Sequence, residues 1–434
     1  MNKQAPVMQS GNRSASIFNV AVIVASLGYF VDIYDLLLFT ILRVPSLKDL
    51  GVPQSEIDSG VGMLLINVQM AGLLVGGIFW GIVGDKKGRL KVLFGSILLY
   101  SIANIANGFV TGTTGYLFWR FVAGLGLAGE LGAGITLVAE ILPKEKRGYG
   151  TMIVATVGVS GAVAANFIAK VVPDWRYCYF IGGGLGLLLL ILRISVMESH
   201  MFNKTVEKNA VGRGEFLALF NNRERFFRYL KCVLLGAPTW FVVGILVAFS
   251  NKFAVEMGVK SPINPGDAVA FCYAGLVLGD FSSGLLSQIL KSRRKVMMIF
   301  LSLTSICVFF YLNLHGAEKW LFYTVCFILG FSVGFWAIFV TIAAESFGTN
   351  LRATVAITVP NFARGMLPLI TMLFAFAQHY FSYLQSGALV AVICIAASLI
   401  ASYTVEETFG KDLNYVEDIN YTEEDKDIKK LSAD

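Results

Sequence analysis

Apolar runs of about 20 residues, the length a helix needs to cross the hydrocarbon core of a bilayer, recur along the whole chain. Twelve can be marked: 17–42, 61–84, 90–109, 114–141, 148–170 and 176–196, then 230–250, 268–290, 295–313, 320–344, 353–378 and 383–405. In lipid every backbone N–H and C=O must be satisfied within its own segment, so such runs are helices. Only 15% of residues are charged and 56% are hydrophobic, whereas a soluble domain carries about 25% charged residues. The 44 Gly residues suit helices whose backbones approach closely in lipid. The expected fold class is an all-α membrane protein with twelve transmembrane helices. The polar start, Met1 to Ser16, has no cleavable-signal pattern, so the first run is expected to be retained as a span.

The chain is also written twice. Glu140-Ile-Leu-Pro-Lys-Glu-Lys-Arg147 recurs, degenerated, as Glu345-Ser-Phe-Gly-Thr-Asn-Leu-Arg352, 205 residues on. The stretch Gly81 to Lys91, with Asp85 and Arg89, is echoed from Gly284, where Gln288 takes the place of the acid. A period of half the chain is too long for a solenoid and implies a duplicated domain. The expected organisation is a six-helix bundle over 1–196, a polar linker over 197–229, a second bundle over 230–405 and an acidic tail over 406–434. The tail reads as solvated and disordered.

Of the 35 Lys and Arg residues, only Arg43, Lys48, Lys170, Arg176, Lys252, Lys260 and Lys319 fall on the side opposite the termini. Arg120 and Arg364 lie within spans, and the rest lie with the termini. The positive-inside rule then places both termini in the cytoplasm of a multi-pass protein of the plasma (inner) membrane. The net charge of +6 is accounted for by orientation and contact with the lipid bilayer, and no nucleic-acid partner is expected. The six Cys fall singly in apolar runs and read as small core residues, with no metal site or disulfide framework.

An ionisable side chain at mid-bilayer costs at least about 2.5–3.5 kcal/mol, so each one is a functional candidate. Asp32 and Asp35, three apart on one helix face, cannot both ionise cheaply, as a reversible proton carrier requires. Static pairing with basic groups is the alternative. Arg120 opens a slim stretch with Gly124, Gly126 and Gly129, and is the expected partner for a first-span carboxylate. Glu130 would pair with Arg120 or face a cavity, and Asp280 reads as structural or as a coupling group. Arg364 lies twelve residues beyond Arg352, about 18 Å along a helix, which puts it near mid-membrane. Its guanidinium suits a carboxylate or phosphate; snorkelling to water is the competing reading.

Gly81 to Lys91 resembles the loop motif of the major facilitator superfamily, G-x-x-x-D-[RK]-x-G-R-x-[RK], at every fixed position. Arg120-x-x-x-Gly124 is similar to that family's fourth-helix motif. Glu140 to Arg147 and Glu345 to Arg352 resemble the elements after helices four and ten. Glu407-Thr-Phe-Gly-Lys-Asp-Leu413 is similar to the ending of the sugar-porter-like branch. The first-helix aspartates and the Gly-rich run to Glu130 look most like metabolite:proton and phosphate:proton symporters.

The resemblance implies the major facilitator fold, two pseudo-symmetric six-helix bundles, working as a monomer by alternating access. It implies a small-molecule site between the halves, lined by Tyr29, Asn166, Trp240, Trp336, Asn361 and Arg364. Proton coupling would fall to Asp32, Asp35, Arg120 and Glu130, with the proton as coupling ion and no cofactor. Conformational latches would be Asp85, Arg89, Glu140, Arg147, Glu345 and Arg352. The expected function is proton-coupled import of a small organic anion, a carboxylate metabolite, with no enzymatic activity. Symport of a sugar, polyol or phosphate stays open, as does a non-transporting sensor. Gln288 and Gly348 depart from the family pattern, and no acid lies near Trp240, which weighs against phosphate. The drug-antiporter motif of helix five is absent, which weighs against an exporter.

Overall fold

The computed structural model describes residues 19–57, 60–198, 216–411, 415 and 417. Among them every regular element is a helix. The first half comprises α1 (Val20–Asp49), α2 (Gly60–Lys87), α3 (Arg89–Gly108), α4 (Thr113–Leu127 and Glu130–Ile141), α5 (Lys144–Val159 and Gly161–Val171) and α6 (Trp175–Glu198). The second comprises α7 (Arg223–Leu235, Ala237–Phe241, a π-helical Val242–Val247 and Ser250–Glu256), α8 (Pro265–Ile289) and α9 (Arg293–Leu312). It closes with α10 (Lys319–Ser332 and Trp336–Glu345), α11 (Arg352–Gly365 and Leu367–Ala377) and α12 (Tyr383–Thr404). Ten of these helices are long and apolar enough to cross a membrane; α3 and α4 complete the twelve. An even number of crossings brings residue 19 and residue 405 to one end of the bundle, here the terminal end.

The polarity pattern is that of a protein dissolved in lipid. Large apolar side chains such as Phe79, Phe109, Phe167, Ile191 and Ile400 stand exposed, while Asp32, Asp35, Arg120, Asp280 and Arg364 are buried. Five spans are interrupted: α4 after Leu127, α5 at Ser160, α7 at Gly236 and along its π turn, α10 between Ser332 and Trp336, and α11 at Met366. Irregular backbone at membrane depth is tolerated where protein or a cavity surrounds it, and π turns recur at functional sites.

The two halves meet chiefly where α2 lies along α11 and α5 along α8. α4 approaches α11 so closely that a Cβ at Gly132 would stand 2.5 Å from Ile357 Cα. Only glycine permits that contact.

Three expectations change. The helix α7 begins at Arg223, inside the stretch read as linker, because Asn222 caps it and accepts from the amides of Glu224 (2.9 Å) and Arg225 (3.2 Å). Arg193, read as a charge at the terminal end, is buried in α6. The start of the tail is docked rather than solvated. Glu417 accepts from Arg228 Nη1 at 2.9 Å, and the Tyr415 carbonyl accepts from the Thr349 amide at 2.8 Å. The Glu407 carboxylate sits at the start of α9, accepting from Ser292 Oγ and from the Arg293 amide at 2.8 Å. Unsatisfied N–H groups and the positive end of the helix dipole hold it there. Burial works to raise the Glu407 carboxyl, but the hydrogen bonds from Ser292, Phe409, Arg293 and Arg294 outweigh it and hold the group below its ordinary range. Residues 418–434 lie outside the described residues.

Candidate functional site

Two helices from opposite halves bring together a buried acid and a buried base. Arg364 Nη2 on α11 lies 3.8 Å from Asp32 Oδ2 on α1, with side chains 1% and 0% exposed. Arg364 Nη1 reaches Asn361 Oδ1 at 3.5 Å. The Asn361 Nδ2 group is itself committed, donating to the carbonyls of Ala128 (2.7 Å) and Ile357 (2.8 Å). The guanidinium carbon stands 5.9 Å from the Trp240 ring and 5.8 Å from the Trp336 ring. The two indoles meet edge to face at 6.1 Å. Tyr29 faces Arg364 from α1, and Tyr273 approaches from α8.

A lone buried guanidinium would be severely destabilising. Here an acid and two aromatic faces offset that cost. Arg364 Nε and both indole N–H groups have no hydrogen-bond partner in the protein. The surroundings of Arg364 are therefore rich in donors and hold one permanent positive charge. Asp280, which the sequence left open, has a defined place in the packing, where its Oδ1 accepts from the Ala337 amide at 3.1 Å. It thereby caps the second segment of α10 at the break and holds Trp336 in place.

Asp35 lies in the first half. Arg120 Nη2 donates to its backbone carbonyl at 3.4 Å and makes no hydrogen bond to its carboxylate oxygens. The guanidinium sits between Phe39 (5.8 Å) and Tyr179 (5.7 Å). Glu130 does not pair with Arg120. Arg193 grips it with both terminal nitrogens, Nη1 to Oε2 at 3.0 Å and Nη2 to Oε1. Arg193 escaped the sequence reading, although a buried acid on α4 called for a cation.

Asn166 lies away from Arg364. It donates to Asp267 Oδ1 at 3.4 Å, and Lys170 pairs with the same carboxylate at 2.5 Å. That cluster ties α5 to α8 at the end opposite the termini. Among the latch residues, Glu345 meets Arg293 at 3.5 Å and accepts from Thr408 Oγ1 at 2.8 Å, while Arg352 donates to the Phe347 carbonyl at 3.4 Å. The side chains of Asp85, Arg89, Glu140 and Arg147 lie outside those described.

A family model described as Major Facilitator Superfamily matches residues 16–366. A putative metabolite transport protein of Haemophilus influenzae is 26% identical over 415 residues, spanning 91% of this chain and 97% of that protein. The niacin transporter NiaP of Acinetobacter baylyi is 24% identical over 91% of this chain and 95% of its own. Among solved structures, the proton:xylose symporter XylE bound to 6-bromo-6-deoxy-D-glucose matches with a TM-score of 0.67 and 15% identity. That match covers 91% of this chain and 97% of the other, and is a likeness of fold. Twelve helices in two bundles, a repeated loop signature and a charge pair buried between the halves agree with these matches: the chain is a membrane transporter, not an enzyme, and belongs to the major facilitator superfamily.

Proposed function

We propose that the protein is a proton-coupled symporter that imports a small organic anion, a carboxylate metabolite, by alternating access. The buried pair between Asp32 and Arg364, with two indoles around the guanidinium, carries this reading. A substrate carboxylate and Asp32 compete for one cation. When Asp32 takes up a proton, its hold on Arg364 weakens and the guanidinium is free to bind the incoming anion. One proton and one anion then occupy the site together. After the halves rock, the anion departs, Asp32 gives up its proton, and the pair re-forms. Neither ligand completes the cycle alone, which is the condition for symport.

Asp35 with Arg120 forms a second coupling group in the first half. Glu130, held by Arg193, keeps that half rigid while it moves against the other. The halves, α1 to α6 and α7 to α12, act as units. The proton is the sole coupling ion, no cofactor takes part, and the monomer is the working unit. Asp85, Arg89, Glu140, Arg147, Glu345 and Arg352 latch the terminal end. The skew of Lys and Arg supports a cytoplasmic location for that end, in the plasma (inner) membrane. The names of the metabolite and niacin relatives are in keeping with a small-molecule cargo.

The test is uptake into liposomes holding the purified protein under an inward pH gradient. Radiolabelled nicotinate and a panel of other carboxylates are set against xylose as a neutral probe. Uphill accumulation of a carboxylate is expected, abolished by collapsing the gradient and by Arg364→Gln. Uphill xylose uptake that survives Arg364→Gln would sink the proposal.

A further inference from the structure

Asp32 faces the other half, but Asp35, one turn along α1, turns into its own bundle. A Cβ on Gly182 of α6 would stand 2.2 Å from Asp35 Oδ1, so the carboxyl packs against the bare backbone of α6. Asn104 of α3 stands beside it. On α3, Ser101, Asn104 and Asn107 follow one another at helical spacing and share a face. All three are fully buried, as is Asp35. The Asn104 amide is close enough to act on the Asp35 carboxylate, yet no hydrogen bond of good geometry reaches either Asp35 oxygen, either amide atom of Asn104 or Asn107, or Ser101 Oγ.

Buried polar atoms in folded proteins are satisfied, and where protein does not serve them, ordered water does. These orphans are not scattered. They run in file from Asp35, midway along α1, to Asn107 in the last turn of α3. At the turn between α3 and α4, next in sequence to Asn107, an open surface depression of about 620 Å³ lies among Ala106, Val110, Thr111 and Thr113. The nearby hydroxyls of Tyr116 and Tyr179 are different, since they satisfy each other at 2.6 Å.

We propose that water threads the Asn107–Asn104 face of α3 and delivers protons to Asp35 from the end opposite the termini, without passing through the site at Arg364. A water at the Asn104 amide passes a proton to the Asp35 carboxylate and takes one back when the carboxyl ionises. Import by this route rests on the symport reading; proton access to Asp35 itself does not. The charged and titratable groups around Asp35 come from every neighbouring helix. Asp32 and Tyr34 flank it on α1, Tyr100 faces it from α3, and Arg120 and Glu130 lie on α4. Tyr179 and Arg193 lie on α6, Lys170 of α5 is engaged by Asp267, and Asp280 of α8 lies on the Tyr29 side. Arg120 and Asp32 thus set opposite charges beside Asp35.

The test needs no substrate, so its failure is distinct from a failure of uptake. Protein in liposomes at acidic pH is mixed into D2O and followed by infrared spectroscopy. The Asp35 carboxyl band is identified as the one missing in Asp35→Asn. In the wild type it should reach its deuterated position within the mixing time. Asn104→Leu and Asn107→Leu, similar in size but unable to hold water, should slow the shift by about tenfold or more. Asn104→Ser, small and hydroxylated, should exchange like wild type. Should Asn104→Leu fail to fold, Asn107→Leu at the mouth of the file decides the matter alone. Unchanged exchange in the Leu variants, or no Asp35 band at any acidic pH, overturns the proposal.

Discussion

Removing Arg364 and Asp32 singly and together separates an ionic pair from a mere neighbourhood. At 3.8 Å, two unit charges attract by about 4 kcal/mol at an effective dielectric of about 20. Both side chains are almost wholly inaccessible, so solvent does little to screen them. Arg364→Gln strands Asp32, and Asp32→Asn strands Arg364; breaking a buried pair from one side costs about 3–5 kcal/mol. The double variant holds two neutral amides and no orphan charge, so it should regain most of that loss. A double-mutant cycle on purified protein, read from unfolding in detergent, should return a coupling of about 3–4 kcal/mol. A coupling below about 1 kcal/mol would refute an ionised pair. Transport gives a second readout. Asp32→Asn should still exchange a carboxylate across the membrane but lose uphill accumulation, because no proton is needed to free Arg364. Arg364→Gln should lose both.

Three further outcomes follow from the packing. Arg193→Met strands the Glu130 carboxylate and should cost about 3–5 kcal/mol of stability in detergent unfolding, most of it recovered in the double variant with Glu130→Gln. Gly182→Ala sets a methyl where Asp35 Oδ1 stands, 2.2 Å away, and should cost about 1–3 kcal/mol by overpacking, whereas Gly184→Ala, with nothing within 4 Å, should be neutral in the same assay. Glu407 is held below its ordinary value of 4.5, so its stabilisation is present above pH 4.5 and fades as pH falls through the lower folded-state value. The gap in unfolding midpoint between wild type and Glu407→Gln should be constant near neutrality and shrink below pH 4.5.

The helices were legible because bilayer thickness imprints a run length on the sequence, and the duplication was legible because both halves kept their Glu…Arg spacing. Isolated charges in apolar runs flagged Asp32, Asp35, Arg120, Glu130 and Arg364 for the same physical reason, their cost in lipid. Their partners were not legible. Which face of α11 meets α1, and which acid Arg364 finds, depends on how two bundles dock, and no local pattern records that. Arg193 looked like a charge at a helix end, since a one-dimensional count cannot show the side chain curling back to Glu130. The tail misled for a related reason: Glu407 and Glu417 read as solvated charge, but each meets unsatisfied donors on helices distant in sequence. Asn166 was named for the lining with no residue pattern of its own to place it, and its neighbour Asp267 lies at the other bundle's edge.

The amide of Asn361 closes on the Ala128 carbonyl, at the point where α4 breaks, and so stitches the halves together. Because this tie is neutral, it moves no charge through the membrane field when it opens. Neither membrane voltage, external pH nor ionic strength acts on it directly. Its contribution to holding the halves together is therefore the same with or without a membrane potential.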